Sequence, residues 1–213
     1  KGQNTGAGSR QQMKILFIHQ NFPGQFKHLA PALAKAGHEC VALTLRVKEP
    51  QNWQGVRILP YGLKAPQQRG VHPWLLDTDT KVIRGEACYR AARALRDKGF
   101  TPDIIVAHPG WGESMFLRDV WPTARIGLYY ELYHRSDPNH LGFDPEFQPR
   151  VDEDQHLRIR MKNLNNLIHF PIGDMGISPT EFQAGTFPPE FREKISVIHD
   201  GIDTKAVVPD PNV

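Results

Sequence analysis

The feature that most constrains the fold is an apolar run that ends abruptly at a histidine. Ile104, Ile105, Val106 and Ala107 follow a Pro102-Asp103 start and lead into His108-Pro109-Gly110-Trp111-Gly112. Four consecutive apolar residues bounded by turn signals describe a strand covered on both faces, as in a parallel sheet. Glu113 to Leu117 then reads as the opening of a helix. In an open α/β sheet such a strand–loop–helix junction holds ligands just beyond the carboxyl end of the strand. His108 occupies that edge.

The rest of the chain repeats the pattern. Residues 14–19 form a first strand, and Gln20-Asn21-Phe22-Pro23-Gly24 turns the chain. Phe26, Leu29, Ala30, Leu33 and Ala34 then fall at i, i+3, i+4, i+7, i+8, an amphipathic helix that Gly37 stops. Residues 38–45 make a second strand, completing a βαβ unit of about 30 residues. Residues 56–61 make a third. A long helix is predicted over 77–98 with Ile83, Ala87, Ala91, Ala94 and Leu95 inward. Residues 125–130 are a further strand, 133–149 a loop, and Leu157, Met161, Leu164 and Ile168 mark one helix face. Residues 173–178 and 194–198 are the last strands, separated by a helix beginning near Thr180. Strands alternating with helices throughout give a Rossmann-like doubly wound parallel sheet, an α/β fold. Residues 1–12, rich in Gly, Ser and Gln ahead of Met13, read as a tail outside the fold. Residues 13–203 read as one domain, and 204–213, which lose periodicity, as the start of a linker.

Composition narrows the function classes. A formal net charge of +3, with Lys and Arg dispersed, argues against nucleic acid as a partner. The only two cysteines, Cys40 and Cys88, lie in apolar segments and read as reduced core thiols, which points to the cytoplasm. No apolar run approaches the ~18 residues of a membrane span. Arg84, Arg90, Arg93 and Arg96 share one predicted helix. They read as a solvated face, with peripheral contact to an anionic membrane surface as the other option.

The candidate residues gather at strand ends: His19 and Asn21 after the first strand, His108 after the fourth, Glu131 with His134 and Arg135 after the fifth, Ser178 and Thr180 after the sixth. A parallel sheet brings these ends to one rim. His108 is positioned for acid/base work or sugar contact, against the plainer role of bonding its own backbone. His19 divides evenly between ligand contact and a satisfied core histidine. Glu131 is as suited to holding a loop as to a substrate. Glu113 reads as a first-turn acid favoured by its helix dipole. The loop Asn21, Gly24, Gln25 opens onto a predicted helix N-terminus, a natural anion site. It lacks Gly-x-Gly-x-x-Gly, against a nicotinamide cofactor, and no P-loop is present. Among ten histidines no pair has metal-ligand spacing, so no metal is expected.

His19-Gln20-Asn21-Phe22-Pro23-Gly24-Gln25-Phe26, the strand ending at His108, and Val197-Ile198-His199-Asp200-Gly201-Ile202-Asp203 together resemble the N-terminal half of family 4 glycosyltransferases. That resemblance implies the GT-B architecture, two Rossmann-like domains facing across a cleft, with this chain as the acceptor-side half. It implies metal-free, retaining transfer of a sugar from a UDP- or GDP-sugar to a glycan or lipid-linked acceptor in surface polysaccharide synthesis. His108 would be the catalytic histidine that contacts the reacting sugar. His19, Asn21, Gly24, Gln25 and Glu131 would line the substrate side. The family's Glu-x7-Glu motif is absent, since it belongs to the second, nucleotide-binding domain. That missing domain is therefore the expected partner, no covalent cofactor is expected, and this half alone is expected to be inactive. A sugar-nucleotide 2-epimerase half and a stand-alone ligand-binding module are the alternatives.

Overall fold

The computed structural model describes residues 11–63, 70–137, 146 and 153–209. Its strands are β1 (Lys14–Ile18), β2 (Glu39–Thr44), β3 (Gln51–Trp53), β4 (Val56–Pro60), β5 (Ile104–Ala107), β6 (Arg125–Tyr129), β7 (Met175–Ser178) and β8 (Ile195–Val197). The helices are α1 (Leu29–Lys35), α2 (Leu76–Asp97), α3 (Leu117–Val120), α4 (Gln155–Lys162), α5 (Leu164–His169), α6 (Glu181–Gly185) and α7 (Pro189–Arg192).

The strands form one sheet in the order β3-β4-β2-β1-β5-β6-β7-β8. All neighbours are parallel except β3 with β4. Alternate residues of β1 serve opposite cores. Ile15 and Phe17 pack with Phe22, Phe26, Ala30 and Ala42, while Leu16 and Ile18 pack with Val41, Cys88, Ala92 and Leu128. Both cysteines are buried and free. Two-sided burial explains why the strands read as continuous apolar runs rather than alternating ones. From β1 the chain winds one way to β2 and β4, then returns to β5 and winds the other way. The topological switch point therefore lies between β1 and β5, and the crevice there opens at their carboxyl ends.

Several predicted elements are corrected. β3 escaped the sequence reading; it pairs through a two-residue turn in which Gln54 and Gly55 both have positive φ, 47° and 83°, the geometry that lets a tight hairpin follow strand twist. The first helix is shorter than its stripe suggests. Phe26 sits in a separate 3-10 turn, and Leu29 is exposed. In α2 the predicted Ala87 and Leu95 are buried, together with Lys81, Gly85, Cys88 and Ala92, while Ile83 and Ala91 are half-buried and Ala94 is exposed. Gly85 sets this rotation: a Cβ there would lie 2.9 Å from the Gly112 carbonyl, so the helix presents its smallest residue to the loop after β5. The stretch read as one helix over 157–168 breaks at Asn163 into α4 and α5. Its buried face carries Ile159, Asn163, Asn165, Asn166 and His169, whereas Ile168 is exposed. Of the tail, linker and loop readings, residues 1–10, 138–145, 147–149 and 210–213 lie outside the described residues, His140 among them.

Candidate active site at the switch point

Parallel pairing carries His19 and His108 out of adjacent strands at the same level, and their ring centroids lie 5.4 Å apart. Trp111 packs against both, 4.5 Å from His108 and 4.9 Å from His19. Tyr129, the last residue of β6, also stacks on His108, at 5.3 Å and 26°.

Each histidine is oriented by the same local device. Its Nδ1 accepts a backbone N–H two residues on, from Asn21 at 3.0 Å and from Gly110 at 3.1 Å. An accepting Nδ1 puts the proton on Nε2 in both rings. From there the two diverge. The Nε2–H of His19 meets Gln25 Oε1 at 2.6 Å, and that of His108 meets Glu131 Oε2 at 3.1 Å. Burial pushes the His19 imidazole down to about 4, so it is neutral at pH 7. The hydrogen bond from His108 holds the Glu131 carboxyl below its ordinary range. Glu131 is half-exposed and faces a cavity of about 300 Å³ lined by His108, Trp111, Tyr129, His134 and Gln183.

His19, His108 and Glu131 therefore converge on one rim. Gly24 and Gln25 belong to it as supports. A Cβ on Gly24 would lie 2.3 Å from His19 Nε2 and its φ is +47°, so only glycine lets the imidazole close on the turn. Asn21 contributes its backbone N–H. The anticipated anion site at a helix N-terminus is not formed, because α1 begins four residues after Gln25 and spans only 7 residues. Ser178 donates to the Tyr130 carbonyl and Thr180 caps α6, so both serve structure. His134 is clamped through its backbone by Asn163, and Arg135 is paired with Asp137.

Glu113 needs the largest correction. It precedes α3 in a turn, fully buried, and accepts a hydrogen bond from Tyr61 Oη at 2.9 Å. Burial pushes its carboxyl up. Beneath the 109–111 turn, Asn165 Nδ2 donates to the Pro109 carbonyl at 2.8 Å. His169 donates from Nδ1 to the Asn165 carbonyl at 2.7 Å. Tyr129 Oη donates to Asp200, 3.0 and 2.9 Å from its two carboxylate oxygens, tying the segment after β8 to the ring that stacks on His108. Sequence reasoning assigned Trp111, Tyr129 and Asp200 no role. An aromatic three residues past a strand-end histidine was the signal available for Trp111. Among the described residues no group of three or more His, Cys, Asp or Glu side chains is placed to hold a metal ion. No described helix is long and apolar enough to cross a membrane.

Residues 36–207 match the family model described as the glycosyl transferase family 4 group. No curated protein matches the sequence. Among solved structures, a sucrose-phosphate synthase chain from Thermosynechococcus elongatus superposes with a TM-score of 0.55 at 13% identity, over 91% of this chain and 92% of that one. The catalytic domain of starch synthase IV from Arabidopsis thaliana, bound to ADP and acarbose, gives 0.54 at 12% identity, over 92% of this chain and 53% of that one. A UDP-glucose:anthocyanidin 3-O-glucosyltransferase in complex with UDP gives 0.50 at 10% identity, over 94% and 55%. These likenesses establish a shared fold. The chain spans about half the length of the last two proteins.

Proposed function

The chain belongs to the glycosyl transferase family 4 group, and from that premise we propose that it is the acceptor-side half of a retaining glycosyltransferase. Its donor is a nucleoside-diphosphate hexose, UDP- or GDP-linked, gripped by a second domain across the cleft, and its acceptor is a glycan or a lipid-linked sugar. The observation that carries this reading is the His108–Glu131 pair, held at the switch point against Trp111 and Tyr129 and open to a cavity of about 300 Å³.

Each residue has a definable task. The sugar becomes oxocarbenium-like as the nucleoside diphosphate departs. The Gly110 N–H on Nδ1 keeps the His108 proton on Nε2, and a hydroxyl of that sugar takes or shares this Nε2–H with Glu131. His19, neutral and hydrogen-bonded on both nitrogens, keeps His108 and Trp111 in place and takes no part in proton transfer. The Trp111 indole gives the apolar face of a sugar ring a surface to lie on, and excludes water from that side.

The test is His108→Ala in protein containing both halves of the cleft, assayed for nucleoside diphosphate release from UDP- and GDP-hexoses. Loss of one hydrogen bond to a developing charge lowers kcat by about 10- to 100-fold in protein that circular dichroism shows to be folded, although the buried ring leaves a void that lowers the thermal midpoint. Unaltered turnover would remove His108 from the reaction. Proton NMR of the product's anomeric centre checks retention, and an inverted product would overturn that part.

A further inference from the structure

The ladder between β5 and β6 ends at Ala107 and Leu128. His108 and Glu131 stand beyond it, so strand pairing does not fix the 3.1 Å between His108 Nε2 and Glu131 Oε2. A different element reaches both segments. Asn165 Nδ2, in α5, donates to the Pro109 carbonyl at 2.8 Å, and Asn166 Nδ2 donates to the Leu132 carbonyl at 3.2 Å. Each bonded carbonyl belongs to the residue directly after a member of the pair. Asn163, at the break before α5, completes the hold. Its Oδ1 accepts the His134 N–H at 2.9 Å and its Nδ2 donates to the His134 carbonyl at 2.7 Å. Asn166 Nδ2 also reaches Asn163 Oδ1 at 3.4 Å, so neighbouring amides brace one another.

Stability alone does not account for this layer. The helix α5 is inside out: Asn165, Asn166 and His169 are buried, while Leu167 and Ile168 are exposed. Asn165 Oδ1 is buried with no hydrogen-bond partner among the described residues. A half-satisfied buried amide is costly, and an exposed leucine and isoleucine forgo the burial that normally holds a helix in place. Nor would the Pro109 carbonyl be stranded without Asn165, since the Gly112 N–H also donates to it at 3.0 Å. Departures of this kind from local rules collect at functional sites. What the layer supplies is a fixed separation between two segments that the sheet leaves untied.

We propose that Asn165 and Asn166 are positioning residues for the transfer reaction: by holding the carbonyls next to His108 and Glu131 they set the contact between the two, and with it the direction in which the Nε2–H meets a sugar hydroxyl. The inference rests on the functional reading above for its effect on turnover, and on the geometry alone for its effect on the pair.

Leucine reproduces the branched shape of asparagine without its donor, so Asn165→Leu and Asn166→Leu each release one segment. Trp121→Phe is the control, losing a buried side-chain bond to the Phe100 carbonyl at the opposite edge of the sheet. The first readout, carbon-13 NMR of the glutamate carboxyls in the 213-residue chain, follows Glu131. The bond from His108 keeps that carboxyl below its ordinary range. Its titration should move up in either asparagine variant and stay in place in Trp121→Phe. The second readout is turnover of protein containing both halves of the cleft, below the thermal midpoint of every variant. There Asn165→Leu should lower kcat by about tenfold or more with KM within about twofold, and Trp121→Phe should leave both within about twofold. If Asn165→Leu does not fold, Asn166→Leu carries the same test from the other segment. An unmoved Glu131 titration in the asparagine variants, an equal shift in Trp121→Phe, or unchanged kcat in a variant whose Glu131 has shifted would overturn the proposal. Full turnover in His108→Ala strikes the functional reading instead, and the NMR comparison still decides whether the asparagines hold the pair.

Discussion

Mild acid should destabilise this fold through His169 before its carboxylates respond. The ring is fully buried, its Nδ1–H donates to the Asn165 carbonyl at 2.7 Å, and its Nε2 has no hydrogen-bond partner among the described residues. Burial pushes the imidazole down to about 4, and the nearby Lys81 and His108 act in the same direction. In the unfolded chain a histidine titrates near 6.5. Between those values the unfolded state holds a proton that the native state refuses, so stability falls as pH drops, by up to about 1.4 kcal/mol per pH unit. The loss from His169 reaches about 2 kcal/mol at pH 5 and levels off below the folded value. Other groups must be separated from it. His19, also pushed down to about 4, adds to the loss in the same window. Glu131, held low by its bond from His108, gives up its contribution only as pH falls below the ordinary carboxylate range. Glu113, pushed up by burial, opposes both, because the native state protonates first and gains stability as pH falls through its folded value. His169→Asn isolates the one group, since the amide can donate to the Asn165 carbonyl and does not titrate. Urea denaturation of both proteins from about pH 7.5 to about pH 4.5 gives the two stability curves. The variant starts lower because it leaves a small void, but its curve is flatter, and the gap closes by about 2 kcal/mol at pH 5. Parallel curves would refute the reasoning.

Two further outcomes concern the loop after β5. Gly112 has φ of +94°, and a Cβ there would lie 2.4 Å from the Lys81 carbonyl oxygen and 2.8 Å from its carbonyl carbon, backbone atoms held in α2. Gly112→Ala should therefore cost about 3 kcal/mol or more and lower the thermal midpoint, a loss that Gly62→Ala, where a Cβ meets nothing within 4 Å, does not reproduce. Glu113→Gln keeps an acceptor for Tyr61 Oη and should stay within about 1 kcal/mol of the parent at neutral pH. Glu113→Ala orphans that hydroxyl and should cost about 2–3 kcal/mol, and equal effects of the two variants in urea titrations would count against a stabilising Tyr61–Glu113 hydrogen bond.

The fold was legible because its signal is local. Ile104 to Ala107 announces a two-sided strand from four consecutive letters, and a histidine at its end is placed by the architecture without knowledge of any partner. Glu131 was legible for the same reason, as the second residue past β6. What escaped is decided by partners far along the chain. Glu113 looks like a first-turn acid because its neighbours are helical in pattern, and only Tyr61, 52 residues earlier, makes it a buried hydrogen-bonded group. Asn165 looks like an exposed polar position on a helix, but the Pro109 carbonyl, 56 residues away, draws it inward and turns the apolar Ile168 out. The face of α2 was misread by a fraction of a turn, since a count of apolar residues does not register that Gly85 is the one small enough to meet Gly112.

The two histidines at the switch point show how one local device yields two functions. Both bind a backbone N–H through Nδ1 and present Nε2–H, so the sequence and the strand register alone make them equivalents. The partner of Nε2 breaks the symmetry. Gln25 gives His19 a neutral carboxamide inside a buried pocket, where burial disfavours an imidazolium more than the nearby Glu131 supports it, and the ring is confined to a structural role. Glu131 gives His108 a carboxylate whose side chain is half in solvent, so charge that develops on the ring is balanced and the dyad can reach a substrate from the open side. Trp111 and Tyr129 both pack against the His108 ring and, with Glu131, line the cavity a sugar would enter, in which the His108 Nε2–H is already given to Glu131. A bound hydroxyl must therefore displace or share that carboxylate, and Glu131 becomes a competitor for substrate as well as a positioning group. Since Tyr129 is also bonded to Asp200, any movement of the segment after β8 alters how tightly the His108 ring is held.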